Sequence, residues 1–132
     1  MAITENTPGQ RTDDITRLFN ATFTDSEGPQ EGELIGALVK CLLSDTPAAD
    51  LASFTADEND RLTAAVIFTR MSYAEDDRTV WLLAPMAVAT DYQRQGIGQA
   101  LIRHGIEALR ARGVDIVITY GDPAFYAKAG FR

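Results

Sequence analysis

The chain has 132 residues, 45% hydrophobic and 23% charged, which is enough for one folded core and short for two. Its net charge of −7 argues against nucleic acid as the main partner, and no apolar run approaches the ~20 residues that cross a bilayer. One cysteine, Cys41, leaves no internal disulfide to form, and the polar start from Met1 to Gln10 lacks the basic-then-apolar order of a secretory signal, so a cytoplasmic protein is expected.

The first helix is predicted over Thr12 to Phe23, where Ile15, Leu18, Phe19 and Thr22 recur at helical spacing and Thr12 or Asp13 supplies the N-cap. A second follows Pro29, with Ile35, Leu38, Val39, Leu42 and Leu43 on one face, and ends before Pro47. The pattern then turns to strands. Leu51 to Ala56 is short; Glu58, Asn59 and Asp60 make a turn; Thr63 to Tyr73 is rich in the β-branched and aromatic residues that strands favour. A turn at Glu75 to Asp77 leads into Thr79 to Thr90, and the three runs read as an antiparallel meander.

Further on, Ile97, Leu101, Gly105, Ala108 and Leu109 form an apolar stripe opposed by Arg103, Glu107 and Arg110, an amphipathic helix stopped by Gly113. Val114 to Tyr120 reads as a buried strand. Asp122 then caps a short helix that has Pro123 at its first position and ends at Gly130. The fold class expected is α+β: two helices, a meander, then a β-α-β-α unit.

The chemistry is concentrated between Met86 and Gln99. A strand runs out at Thr90, a loop turns through Gln93, Arg94 and Gln95, and a helix begins near Gly96. Gly96 and Gly98 let the backbone turn sharply and come close to a ligand. The first N–H groups of a helix have no intrahelical partners, and with the helix dipole they suit an anion such as a pyrophosphate. Arg94 adds a charged donor. The same two glycines also serve tight helix–sheet packing. A Rossmann dinucleotide unit is the third reading, with Asp122 at about the right distance for a ribose. Leu101 stands where its third glycine belongs, however, and the upstream strands read as antiparallel.

Gln93-x-x-Gly96-x-Gly98, after a strand carrying Met86-Ala87-Val88, resembles the acetyl-CoA motif of the GNAT family of N-acetyltransferases. The segment Gly121-Asp-Pro-Ala-Phe-Tyr-Ala-Lys-Ala-Gly-Phe131 is similar to that family's later CoA-side motif, and its wording resembles the YhbS-like branch. The resemblance covers roughly Leu51 to Arg132. It implies a GNAT-like mixed sheet, acetyl-CoA as donor substrate and an amine as acceptor, attacked directly with no acyl-enzyme. The donor's pyrophosphate would sit on Gln93, Arg94, Gln95, Gly96, Ile97, Gly98 and Gln99, and its pantetheine arm would pair like an extra strand with Met86, Ala87 and Val88. Pro85, which inside a strand marks an edge or a bulge, would free neighbouring N–H groups for the thioester carbonyl. Asp122 and Phe125 fall on the donor side, although an N-cap role explains Asp122 and a packing role suits Phe125 and Phe131.

Tyr126 matches the family's general acid for the departing CoA thiolate; a phenol, with a pKa of about 10, is protonated at neutral pH and able to donate. The general base is not legible: Glu31, Glu33 and Glu75 are candidates that read equally as surface charges. His104 reads as a half-buried packing residue, Cys41 has no partner for nucleophilic work, and no cluster has metal-ligand spacing. An acidic chain attracts a cationic amine. The family's sheet continues after Gly-Phe with two more strands, whereas this sequence stops at Arg132. The expectation is therefore a single, C-terminally short domain over 1–132, with a homodimer covering the edge of the Val114–Tyr120 strand, or low stability. A second reading, a CoA-binding or oligomerising module without catalysis, stays open.

Overall fold

The computed structural model describes residues 1–7, 9–71, 80–114 and 116–119. Among these, five strands form one sheet in the order β1 (Ala2–Asn6), β2 (Leu51–Glu58), β3 (Arg61–Met71), β4 (Val80–Val88) and β5 (Ile116–Thr119). The first three junctions are antiparallel and β5 lies parallel to β4. Helices α1 (Thr12–Glu27) and α2 (Pro29–Asp45) cover one face, and α3 (Ile97–Ala111) covers the other.

Strand periodicity assigns the two faces. On β3, Ala64, Val66 and Phe68 join Phe54, Leu83, Leu101, Ile102 and Leu109 beneath α3, whereas Ala65 and Ile67 join Ile15, Phe19, Val39 and Leu43 beneath α1 and α2. Residues 51–56 are all buried because β2 is covered on both sides. Emptying one of the large central positions, such as Phe19 or Phe68, costs about 3–5 kcal/mol.

The meander and the β4-α3-β5 crossover agree with the expectation. Asn59 and Asp60 both adopt left-handed conformations, φ 51° and 63°, which makes the β2–β3 connection a two-residue hairpin turn and places Arg61 opposite Glu58. On β4 the register slips: Val66 faces Met86 while Phe68 faces Leu83, so two residues, one of them Pro85, stand against Ile67 alone. This is the bulge that the proline predicts. The expected helix from Asp122 to Gly130 lies outside the described residues, as do the turn at Glu75 to Asp77 and Tyr120.

One element is new and three readings are corrected. Ala2–Asn6, read only as polar, is an edge strand; only Asn6 is buried in it, so it shows no apolar alternation. The α1 N-cap is neither Thr12 nor Asp13 but Arg11, at φ 61°, held by hydrogen bonds of 2.8 and 2.9 Å to Asp57 rather than by a capping side chain. On α2, Leu38 is exposed, and the buried face runs through Gly32, Gly36, Val39 and Leu43. The glycines let α1 approach closely: a Cβ on Gly32 would lie 1.9 Å from Thr24 Oγ1 and 2.7 Å from the Asn20 carbonyl oxygen. His104 is exposed, not half-buried, although its ring meets the edge of Phe54 at 5.8 Å.

Candidate functional site

The sheet changes character along β4. Val80 to Leu83 pair with β3 on one side and β5 on the other; from 84 to 88 the strand pairs only with β3 among the described residues. Among the described residues the backbone of Met86–Val88 therefore presents an open edge, and the bulge at Pro85 marks where the pairing changes.

Past this edge the chain makes a single 3₁₀ turn at Thr90–Tyr92 and enters the loop 93–96. Three ties hold the segment. The Ala89 N–H donates to the Thr63 carbonyl at 2.7 Å, the Thr90 hydroxyl donates to Asp25 at 2.8 Å, and the Gln93 side-chain amide donates to the Val88 carbonyl at 3.0 Å. Arg94 and Gly96 both have left-handed backbones, φ 65° and 80°. At Gly96 that conformation is free; at Arg94 it carries strain.

Gly96 is the N-cap of α3 and provides no side-chain hydrogen bond, and the first turn contains no acid. The first intrahelical bond beyond it is Ala100 N–H to the Gly96 carbonyl at 3.0 Å. The helix thus begins at Ile97 and Gly98 with no side-chain cap from Gly96, at the positive end of its dipole. Underneath, Gly105 brings α3 onto the sheet: a Cβ there would sit 2.6 Å from the Phe68 ring.

Edge and helix start face one cleft of about 580 Å³, lined by Met86, Ala87 and Val88 from β4, by Gln93, Arg94 and Gly96 from the loop, and by Ile97, Gly98 and Gln99 from α3. Nine of the predicted donor-site residues are gathered there; Gln95 belongs to the same loop without lining the cleft. Asp122, Phe125 and Tyr126 lie outside the described residues. The other wall comes from Thr22, Phe23 and Ser26 of α1, and Tyr92 completes the lining. These four were not foreseen. Thr22 and Phe23 read only as part of an amphipathic helix, and nothing local to α1 signals which loop it will face.

Beside the cleft, across Thr22, a second cavity of about 460 Å³ is lined by charged residues including Arg61, Asp91, Asp25 and Asp14. Its charges are largely satisfied internally. Arg61 donates to Asp91 at 2.7 and 3.2 Å, and Asp14 accepts from Arg17 at 2.5 Å. The hydrogen bond from Arg61, with a backbone hydrogen bond second, holds the Asp91 carboxyl below its ordinary value, while Asp91 pushes the Arg61 guanidinium up. The candidate bases Glu31 and Glu33 are exposed on α2, Cys41 is exposed, and Glu75 lies outside the described residues. Among the described residues no three potential ligands cluster for a metal, and no helix is long and apolar enough to cross a membrane.

Residues 50–132 match the acetyltransferase (GNAT) domain family. The uncharacterized N-acetyltransferase YjhQ of Escherichia coli K12 is 36% identical over 96 residues, covering 71% of this chain and 53% of its own. YhbS of the same strain, also an uncharacterized N-acetyltransferase, is 32% identical over 75 residues, covering 57% of this chain and 45% of its own. The chain spans about half the length of these curated relatives. Among solved structures, a GNAT family acetyltransferase from Brucella melitensis in complex with acetyl-CoA superposes with a TM-score of 0.76 at 25% identity, covering 99% of this chain and 83% of that one.

Proposed function

The chain belongs to the GNAT acetyltransferase family, and from that premise we propose that residues 1–132 act as one N-acetyltransferase domain moving an acetyl group from acetyl-CoA to an amine. The observation that carries this reading is a cleft that joins a strand edge, open among the described residues, to a helix N-terminus whose N-cap glycine supplies no side-chain cap. A pantetheine arm needs amide partners along an extended strand, and the edge of Met86–Val88 offers them. A pyrophosphate needs converging N–H donors with no competing acid, and Gly96 to Gln99 offer those.

In this reading Arg94 adds charge to the phosphate contacts, and the bulge at Pro85 leaves backbone donors for the oxyanion that forms as a neutral amine attacks the thioester carbon. A C–N bond forms and the C–S bond breaks. The Tyr126 phenol donates its proton to the departing thiolate, and the amine's proton leaves to water or a carboxylate. The net charge of −7 favours the approach of a cationic acceptor. A cytoplasmic location and a homodimer through β5, the last strand of the described sheet, belong to the same proposal, the latter tested by sedimentation across a range of concentrations.

The test is calorimetric titration with acetyl-CoA and with CoA, followed by thiol-release assays over a panel of amines. Saturable micromolar binding with amine-dependent thiol release is expected. Binding without release for any amine would identify a donor-binding module, and no binding by the folded chain would overturn the assignment of the cleft.

A further inference from the structure

The loop that starts α3 is held from behind. Arg61, the first residue of β3, reaches across the sheet end and grips Asp91 with both arms of its guanidinium, at 2.7 and 3.2 Å. The same guanidinium lies over the ring of Tyr92, 5.1 Å from its centroid. Neither Arg61 nor Asp91 lines the 580 Å³ cleft, whereas Tyr92, Gln93, Arg94 and Gly96 do. A second tether, the Thr90 hydroxyl on Asp25, fixes the same turn from α1. Arg61 is itself placed by the hairpin turn at Asn59 and Asp60, whose paired left-handed conformations fix where β3 begins.

We infer that Arg61 and Asp91 are positioning residues for the anion-binding loop, acting through Tyr92 to hold Gln93–Gly96 in the conformation that receives a phosphate group; this rests on the donor-site reading proposed above. The loop contains a non-glycine residue, Arg94, at φ 65°, a conformation that the free chain populates sparsely. Something outside the loop has to stabilise it. The Arg61–Asp91 pair is over half exposed on both sides, 53% and 61%, so it contributes little to global stability. Its bidentate geometry and the stacked ring still restrict where the turn can go. Apparent affinity scales with the fraction of molecules whose loop is competent, so releasing the clamp weakens binding without removing any ligand contact.

The experiment measures CoA affinity by calorimetry for the intact chain, Arg61→Ala, Asp91→Ala and the double variant, together with thermal melts and amide exchange of residues 89–96 in the free proteins. Each single variant is expected to bind CoA about 10-fold more weakly, corresponding to a competent fraction near one tenth, and the double variant no more weakly than either single one. Arg61→Lys, which keeps the charge but not the fork, is expected to fall between. Melting temperatures should stay within about 2 °C, and the loop amides should exchange faster in every variant, with or without ligand. Affinities within twofold of the intact chain, additive losses, or unchanged loop exchange would overturn the clamp. An intact chain that fails to bind CoA would refute the donor site instead, and the exchange comparison would still decide the clamp.

Discussion

Arg11 and Asp57 are joined by two hydrogen bonds of 2.8 and 2.9 Å, tying the residue before α1 to the end of β2 across 46 positions of sequence. The pair is about three-quarters buried on both sides, and it fixes Arg11 in a left-handed conformation at φ 61°. Arg11→Ala should lose about 1–2 kcal/mol, because the pair goes and the strain stays. Arg11→Gly loses the same pair but relieves the strain, and should be about 1 kcal/mol more stable than the alanine variant. Urea unfolding midpoints of the two variants measure the difference; equal midpoints would mean that φ 61° carries no strain here.

Two helix glycines set packing distances, Gly105 between α3 and the sheet and Gly32 between α2 and α1. At Gly105 an added Cβ meets the buried Phe68 ring at 2.6 and 2.8 Å, and at Gly32 it meets Thr24 Oγ1 and the Asn20 carbonyl. Thr24 Cβ also lies 3.0 Å from the Cβ added at Gly32, the carbonyl is backbone, and the Phe68 ring is fully enclosed. Gly105→Ala and Gly32→Ala should each destabilise by about 1–3 kcal/mol, seen as lower melting temperatures.

Gly96 contrasts with these, since a Cβ there would meet nothing within 4 Å and only the φ of 80° is at stake. Gly96→Ala is expected to cost about 1 kcal/mol of stability. Gly96→Asp adds a negative charge at the helix start and should abolish CoA binding in calorimetry while the chain remains folded. Retained binding would remove this loop from the donor site.

The Asp91 carboxyl is held below its ordinary value, first by the hydrogen bond from Arg61 and then by one from its own backbone. A depressed folded value means that the interaction is complete above the unfolded value and is lost as pH falls through the folded one. A carbon-detected titration of Asp91 should therefore show a midpoint below that of an ordinary aspartate, rising toward it in Arg61→Ala. A midpoint unmoved by the substitution would mean that Arg61 is not the cause.

Tyr126→Phe should slow acetyl transfer while leaving acetyl-CoA affinity within about twofold, because the phenol's proton is used only as the thiolate leaves. Equal transfer rates would exclude the phenol from the proposed mechanism.

What the sequence made legible follows from how local each cause is. Gly96 could be read because a left-handed N-cap is a one-residue requirement, and the Pro85 bulge because proline cannot donate to a ladder. The α1 wall of the cleft was illegible, since Phe23 and Ser26 come to line it only once α1 is packed on the sheet. Leu38 was misassigned because hydrophobicity was taken as the sign of a buried face, whereas the α1–α2 contact is made by the small residues Gly32 and Gly36. The strand at Ala2–Asn6 escaped because its ladder is a backbone property, and its one buried side chain is polar: Asn6 donates to Thr55 Oγ1 at 3.0 Å.

The half-paired strand β4 divides its residues between two kinds of constraint. From Val80 to Leu83 it is interior to the sheet, flanked by β3 and β5, so substitutions there bear on whether the chain folds. From Met86 to Val88 that second flank has no strand among the described residues, so these positions also bear on what the gap accommodates. Ligand preference and fold stability are thereby only partly separable along the strand: Met86 and Val88 are half-buried at the cleft, where variation alters what the gap accommodates, while Ala87, buried beneath α1 and α2, answers to the core.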